Sequence, residues 1–394
     1  MGGRISTFIF WKNFLEFLDK MSSNHSFRHP IFAPMTKISY TSFASTLLEW
    51  HSTIDRNLPW KATRDPYKIW LSEIILQQTR VAQGTPYYLR FVEAFPSITD
   101  LANADEATVM KLWQGLGYYS RARNLHHAAK TVRDQYEGAF PEDYDKILAL
   151  KGVGKYTAAA VASFAFDLEY PVVDGNVIRV ISRYFGITDA VDTTQTIKHI
   201  NLLAEKLIKG SDPASYNQAI MDFGALMCTP KNPNCLECPF KNECIAYASG
   251  QVDSIPFKTK KIKKKNRFLH YFYIIDDQGR VTVNHRNGND IWKSLYDFPG
   301  MENSDKKPLE NSEILAYLEE EIGQNVYDIT QPTKVYKHVL THQNIFGQFY
   351  IINCKKLRND LSKFRITTSE EFERLAFPVL ITRFLEEKKE WTLF

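Results

Sequence analysis

The sequence predicts two folded parts of different class: an all-α domain over residues 37–250 and an α+β domain over residues 267–394, joined by a basic linker at 251–266. Three observations carry that prediction. From Tyr40 to about residue 250, apolar residues recur at helical spacing between cap and stop signals. The run 258–267, Lys-Thr-Lys-Lys-Ile-Lys-Lys-Lys-Asn-Arg, holds seven basic side chains in ten and cannot bury itself. Beyond it a strand-like apolar run begins with Phe268-Leu269-His270-Tyr271-Phe272-Tyr273-Ile274-Ile275.

Residues 1–36 precede regular patterning and read as a disordered extension. Arg4, Lys12, Glu16, Asp19 and Lys20 interrupt its apolar residues, so no signal-peptide core forms. Met1-Gly2 with Ser6 fits only the loose myristoylation pattern, and Met21 and Met35 are alternative starts. Ser42–Ile54 then reads as an amphipathic helix. Asp65-Pro66 supplies an acidic cap and a first-turn proline for a helix reaching about Arg80. Pro86 opens a third, closed by Phe95-Pro96, and Asp105–Trp113 a fourth, stopped by Gly115 and Gly117. Ser120–Tyr136 is rich in Arg and His; Asp143–Leu150 and Tyr156–Phe166 flank a glycine turn; Val177–Phe185, Thr194–Ile208 and Asp212–Leu226 complete the helices. In the second part a hairpin is expected around Asp276–Gly279, a helix at Ser312–Ile322, and strands near Lys334–Leu340 and Gln348–Asn353.

Composition narrows the class. With 394 residues, 44% hydrophobic and 24% charged, the chain has the mix of a globular protein with more than one core. No apolar run is long enough to span a bilayer, so no membrane partner is expected. Net charge is 49 − 45 = +4, mildly basic, so a nucleic-acid reading must rest on where the charge sits. Five cysteines are too few for a disulfide scaffold, and four fall between Cys228 and Cys244, the usage of a metal site in a reducing, cytoplasmic compartment.

Those four form Cys228-x6-Cys235-x2-Cys238-x5-Cys244, soft ligands in a tight loop pre-bent by Pro233 and Pro239. A single CxxC with uneven outer spacings favours an iron–sulfur cluster, with zinc the alternative. Cys354 stands apart and reads as a buried hydrophobe. Leu150-Lys151-Gly152-Val153-Gly154-Lys155-Tyr156-Thr157 is a turn between helices that either holds a phosphate on backbone N–H groups or is a plain αα corner. Arg121, Arg123, His126, His127, Lys151 and Lys155 favour phosphate contact.

Two acids stand in unusual settings. Glu73 lies inside the apolar run Trp70-Leu71-Ser72-Glu73-Ile74-Ile75-Leu76, where a raised pKa would let it donate a proton near neutral pH. Asp174 precedes Gly175-Asn176-Val177 and reads first as an ordinary helix N-cap. They lie 101 positions apart, and spacing alone cannot pair them.

Taken together, the motifs resemble the adenine DNA glycosylases of the MutY type. Ser72-Glu73-Ile74-Ile75-Leu76-Gln77-Gln78-Thr79-Arg80-Val81 is similar to that family's catalytic helix, and Leu58-Pro59-Trp60-Lys61 and Trp113-Gln114-Gly115-Leu116-Gly117-Tyr118-Tyr119-Ser120-Arg121 to two further motifs. The glycine turn resembles its helix-hairpin-helix, Val172-Val173-Asp174-Gly175-Asn176-Val177 its aspartate loop, and the cysteine spacing its 4Fe–4S loop. The resemblance covers about residues 40–394 and implies a helix-hairpin-helix glycosylase domain followed by a Nudix-like domain. It further implies a monomer acting on double-stranded DNA containing A·8-oxoguanine or A·G mispairs, with a 4Fe–4S cluster held by Cys228, Cys235, Cys238 and Cys244.

Carried over residue by residue, Glu73 would protonate the flipped adenine at N7 and Asp174 would stabilise the oxocarbenium ion, with Tyr156 and Asn176 bonding around the sugar. Gln78, Thr79, Leu116 and Tyr118 match positions that wedge the duplex, while Gly152, Gly154 and Lys155 sit in the phosphate-binding turn. At Lys151 the family often has proline. The Nudix-like half lacks the Arg-Glu pair that a hydrolytic box needs ahead of Glu-Glu-x-Gly, reading Ala316-Tyr317-Leu318-Glu319-Glu320-Glu321-Ile322-Gly323, so it is expected to read DNA and not to cleave pyrophosphate. Its lesion-reading loop, Phe-Ser-His in the family, is Leu340-Thr341-His342 here. The main alternative is a bifunctional glycosylase/lyase of the endonuclease III type, which carries a lysine where this chain has Tyr156 and lacks the Nudix-like half. A non-catalytic DNA-binding protein, or a Nudix hydrolase with a DNA module, is a further alternative.

Overall fold

In the computed structural model the residues described are 40–259, 264–323, 328–357, 361 and 363–391; the expected extension at 1–36 lies outside them. The chain divides into Met1–Ser42 and the compact unit Phe43–Phe394, which holds all that follows except the first residues of α1. Its first half is helical: α1 (Tyr40–Ser52), α2 (Pro66–Leu76), α3 (Val81–Ala94), α4 (Ile98–Asn103), α5 (Glu106–Trp113), α6 (Ser120–Gln135), α7 (Tyr144–Ala149), α8 (Lys155–Phe166), α9 (Gly175–Phe185), α10 (Thr194–Ile208), α11 (Pro213–Leu226) and α12 (Ile245–Ala248). Side-chain caps start most of them, Asp65 on Tyr67, Asp105 on Thr108, Asp143 on Lys146, Asp174 on Val177, Thr193 on Thr196 and Asp212 on Ser215.

Several elements differ from the sequence reading, α1 running Tyr40–Ser52 and not Ser42–Ile54. Helix α2 stops at Leu76, not Arg80, because the Arg121 guanidinium takes its last carbonyls: Nη1 donates to Ile74 O at 2.8 Å, Ile75 O at 2.9 Å and Gln77 O at 2.6 Å. Pro86 does not open α3 but lies inside it, the helix having started at Val81. The sequence reading passed over α4, a six-residue helix started by a Ser97–Asp100 capping box.

The second half is a mixed sheet with helices on its faces. Strands β1 (Lys265–Asp276), β2 (Val281–His285), β3 (Tyr296–Asp297), β4 (Gly300–Asn303), β5 (Asp328–Ile329), β6 (Tyr336–Val339), β7 (Gln343–Cys354) and β8 (Arg365–Thr367) run in the order β3-β2-β1-β7-β5, with β4 also on β1, β6 on β7 and β8 on β2. The central pair β1·β7 is parallel from Lys265↔Gln343 to Asp276↔Cys354, and the other pairs are antiparallel. Because side chains alternate across a strand, β1 buries both faces. Phe272 and Ile274 meet Ile314, Leu318 and Ile322 of α13 (Asn311–Glu321) and its end. Tyr271 and Tyr273 meet Phe298, Phe349 and the inner face of α15 (Val379–Trp391), where Phe349 and Phe384 stack at 4.1 Å. Helix α14 (Ser369–Arg374) precedes α15.

The expected linker is shorter than the charge run suggested. Ile255 is buried, Val191 N donates to Phe257 O at 2.9 Å, and β1 begins at Lys265, whose N–H reaches His342 O at 3.0 Å. Lys265 and Arg267 are therefore sheet, Lys265 exposed and Arg267 ion-paired to Asp290 and Glu302. The Asp276–Gly279 hairpin is present, closed by Asp276 accepting from Gln278 and Arg280.

Candidate active site

Glu73 sits on α2, whose residues Tyr67, Ile69–Ile75 are all buried, so the helix is apolar around its whole circumference and takes the acid inside with it. Helix α8, lined with Ala158, Ala159, Ala160 and Ala162, packs closely against α2 and presents Tyr156 from its first turn. Asp174 caps α9. Its Oδ1 accepts from Val177 N at 2.8 Å and its Oδ2 from Asn176 Nδ2 at 2.7 Å, so the cap and the site residue are the same side chain. Residues far apart in sequence thus line one cleft of about 460 Å³: Glu73, Tyr156, Asp174 and Asn176, with Thr79 at its edge.

The electrostatics separate the two acids. Glu73 is 7% exposed, and burial lifts its carboxyl from 4.5 to about 7; the Tyr156 hydroxyl bond opposes this and the Asp174 charge adds to it. Asp174 is also raised by burial, but its Val177 and Asn176 hydrogen bonds and the Arg179 charge all pull the other way. Burial thus favours the neutral acid at Glu73, while at Asp174 hydrogen bonds and a nearby cation oppose it.

The sequence reading missed the far wall of the cleft. Asp222, on α11, is 2% exposed and accepts from His51 Nε2 at 3.1 Å, Lys61 Nζ at 2.5 Å and Arg56. Despite burial, these partners hold its carboxyl down at about 2. The signal that flagged Glu73 was present here too, an acid inside the apolar run Ile220-Met221-Asp222-Phe223. His51, Arg56, Lys61 and Asp222 all line the same cleft.

Helix α9 links that cleft to the cysteine loop. Arg179 Nη2 donates to Asn176 Oδ1 at 2.9 Å, and its Nε to Cys228 O at 2.7 Å. One turn on, Arg183 Nη1 reaches Cys228 Sγ at 3.4 Å and Thr229 O at 2.7 Å. Cys228, Cys235, Cys238 and Cys244 line a single cavity, while among the described residues no three metal-ligating side chains close on one ion. Cys354 is buried in β7, as expected.

At the rim, Gln78 and Tyr118 are exposed and both hold left-handed backbone, with φ of 58° and 48°. Strained non-glycine residues of this kind persist only where neighbours fix them. Arg121 supplies the fixing: besides the end of α2, its Nη2 donates to Leu116 O at 3.4 Å, Gly117 O at 3.2 Å and Thr79 Oγ1 at 3.4 Å. This corrects the expectation that Arg121 meets phosphate, since it is 8% exposed and spent on carbonyls. His126 is likewise buried on Ala104 O, and Arg123 donates to Lys293 O. Leu116 is tucked into the core at 6% exposure, leaving Gln78 and Tyr118 to project. Gly152, Gly154, Lys151 and Lys155 are all exposed on the glycine turn; Gly152 has φ +81°, and a Cβ there would meet Asn124 Cβ at 2.6 Å. Leu340, Thr341 and His342 form the β6–β7 turn, where Leu340 and Thr341 are half-buried and His342 is exposed. The Thr341 hydroxyl is hydrogen-bonded to the Tyr118 hydroxyl, so two rim segments predicted separately meet. At the place of the missing Nudix glutamate, Tyr317 packs on Phe272 and accepts from Gly300 N at 3.2 Å.

Comparison with known proteins gives the same division. Residues 71–206 match the HhH-GPD superfamily base excision DNA repair proteins, and residues 270–387 match the NUDIX domain. An adenine DNA glycosylase of Buchnera aphidicola from Schizaphis graminum is 37% identical over 264 residues, 66% of this chain and 75% of that one. A second, from the Baizongia pistaciae strain, is 34% identical over 309 residues, covering 77% and 84%. The Mus musculus adenine DNA glycosylase is 41% identical over 228 residues, 55% of this chain and 44% of its own. Among solved structures, a thermostable thymine-DNA glycosylase matches 53% of this chain and 96% of its own at 35% identity and a TM-score of 0.50. Identities of 37% and 34% to two adenine DNA glycosylases, over 75% and 84% of their lengths, place the chain in the adenine DNA glycosylase family.

Proposed function

We propose that the chain hydrolyses the N-glycosidic bond of adenine mispaired with 8-oxoguanine or guanine in double-stranded DNA, acting as a monomer. The observation that carries this is Glu73, a buried carboxyl lifted to about 7 and hydrogen-bonded by Tyr156, in the same cleft as Asp174. A base must leave the stack to reach such a cleft, at a cost of a few kcal/mol that is least for a mispaired base. Glu73, protonated near neutral pH, gives its proton to the departing adenine at N7, turning the base into a better leaving group. Asp174, its carboxylate oxygens accepting from Asn176 and Val177, stabilises the positive charge that grows on the sugar. Tyr156 orients Glu73, and the wall of Asp222, Arg56, Lys61 and His51 presents fixed charge and donors to the base edge. Tyr156 carries no amine, which supports hydrolysis without strand cleavage over the lyase alternative.

The rim residues Gln78, Thr79 and Tyr118 would open the duplex, Gly152, Gly154 and Lys155 would hold a phosphate, and Leu340, Thr341 and His342 would read the opposing lesion. The cysteine loop fits a 4Fe–4S cluster held by Cys228, Cys235, Cys238 and Cys244. One CxxC with outer gaps of six and five residues, and one cavity lined by all four thiols, support the cluster reading. When bound, the cluster supplies structural order to the loop. Arg183 steadies the Cys228 sulfur, and Arg179 ties the Cys228 backbone to Asn176.

The test is single-turnover adenine release from A·8-oxoguanine and A·G duplexes by the parent, Glu73→Gln and Asp174→Asn. Both variants should bind duplex and lose nearly all excision. Excision near the parent rate in either would overturn its assigned role.

A further inference from the structure

Four hydrogen bonds between the two halves leave the helical side from one short segment, residues 111–123. Lys111 Nζ donates to Leu375 O at 2.8 Å, Phe377 N donates to Gln114 Oε1 at 3.1 Å, Tyr118 bonds Thr341, and Arg123 donates to Lys293 O. Gln114 is the C-cap of α5 and the residue at which two braces meet. Its own carbonyl accepts from Tyr87 Oη at 2.8 Å, an approach that only glycine at 115 permits, since a Cβ there would lie 2.3 Å from that hydroxyl. Its side-chain oxygen takes the Phe377 amide from the other half. Lys111, one helical turn earlier, takes the Leu375 carbonyl, so residues 375–377 are gripped at a donor and an acceptor by one helix end.

That gripped segment, between α14 and α15, is tied to the sheet. Leu375, Ala376 and Phe377 are buried, and Ala376 O accepts from Tyr296 N at 2.9 Å. Phe377 packs on Phe298 and Phe372, and Phe298 lies against Phe349 of β7. Strand β7 leads directly out of the turn Leu340-Thr341-His342, whose threonine returns to Tyr118, four residues beyond Gln114. The contacts therefore close a ring from Gln114 through the sheet and back to the exposed end of the same turn.

We propose that Gln114 is a positioning residue that sets the register of the 340–342 turn against Tyr118, and so governs how strongly the base opposite adenine controls excision. This rests on the function proposed above. Gln114 touches neither base nor sugar. It fixes the distance between a wedge carried by the helical half and a reading turn carried by the sheet. Its loss leaves the buried Phe377 amide without its acceptor and frees the second half to shift.

The experiment is single-turnover excision from A·8-oxoguanine and A·G duplexes by the full-length parent, Gln114→Ala, Gln114→Glu and Lys111→Met, with thermal melting of each. For Gln114→Ala, the ratio of the two rates should fall by about 2- to 10-fold, the range of one net hydrogen bond, while the A·G rate stays within about twofold of the parent. Gln114→Glu keeps an oxygen for the Phe377 amide and should restore the ratio; Lys111→Met should lower it in the same direction. Equal loss on both duplexes, or an unchanged ratio in Gln114→Ala, would overturn the proposal, and if that variant does not fold the Lys111→Met ratio decides. A parent that excises adenine from neither duplex refutes the proposed function itself, a distinct outcome.

Discussion

Replacing Glu73 by glutamine should make the protein more stable at alkaline pH while abolishing its activity. The magnitude follows from the acid's environment. Burial lifts the carboxyl from 4.5 to about 7, so (7 − 4.5) at about 1.4 kcal/mol per pH unit gives about 3 kcal/mol. The native state holds this proton more tightly than the unfolded chain. The stabilisation is therefore complete below 4.5 and is lost as pH rises through 7, above which the fold carries a buried carboxylate at a cost of about 3 kcal/mol. Glutamine cannot ionise, fills the same volume and can still accept the Tyr156 hydroxyl. The variant should thus gain up to about 3 kcal/mol at pH 8, or about 4 °C in Tm for a cooperative unit of this size, and little or nothing at pH 5. Parallel melting of parent and variant at pH 5, 6, 7 and 8 reads this directly. A Tm difference that does not grow between pH 5 and 8, or a variant less stable at pH 8, would refute the claim that Glu73 is held as the neutral acid.

The same proton sets activity. Single-turnover excision by the parent should fall about tenfold per pH unit above about 7, as Glu73 ionises; a rate flat to pH 9 would count against it. Arg121→Met should cost about 3–5 kcal/mol, because the carbonyls of Ile74, Ile75, Gln77, Leu116 and Gly117 lose a buried charged donor, and the Gln78 and Tyr118 turns should become protease-sensitive. Arg179→Met should slow excision without abolishing duplex binding, since it removes the hydrogen bond that orients Asn176 beside Asp174; an unchanged rate would show that Asn176 needs no such support. Purified protein should absorb near 400 nm with about four irons per chain, and Cys238→Ser should lower both; a colourless, stoichiometrically zinc-loaded protein would contradict the cluster.

How much of this was legible in the sequence depended on range. Glu73 and Asp174 were found because each carries a local signal, an acid in an apolar helix and an acid before Gly-Asn-Val at a helix start. Their meeting is not legible, because it depends on α2 packing on alanine-rich α8, α8 on α11, and α11 on the α9 that Asp174 caps. The fold class followed from period and caps, but boundaries set by tertiary partners did not. Helix α2 ends early because Arg121, 44 residues on from Gln77, takes its last carbonyls. For the same reason Arg121 was misread as a phosphate contact, since nothing local says whether an arginine turns inward. Asp222 carried the same local signal as Glu73 and was passed over; its partners lie 161 to 171 positions away. The contact of Tyr118 with Thr341 spans 223 positions and joins two halves that the sequence presents as separate.

The most direct test of the account is product analysis on a duplex with one A·8-oxoguanine pair, with and without alkali. A site built on Glu73 and Asp174, with Tyr156 where a lyase would need an amine, should release free adenine and leave an intact strand with an abasic site, nicked only after alkali. Strand cleavage without alkali, accompanied by a stoichiometric covalent complex under borohydride, would contradict it.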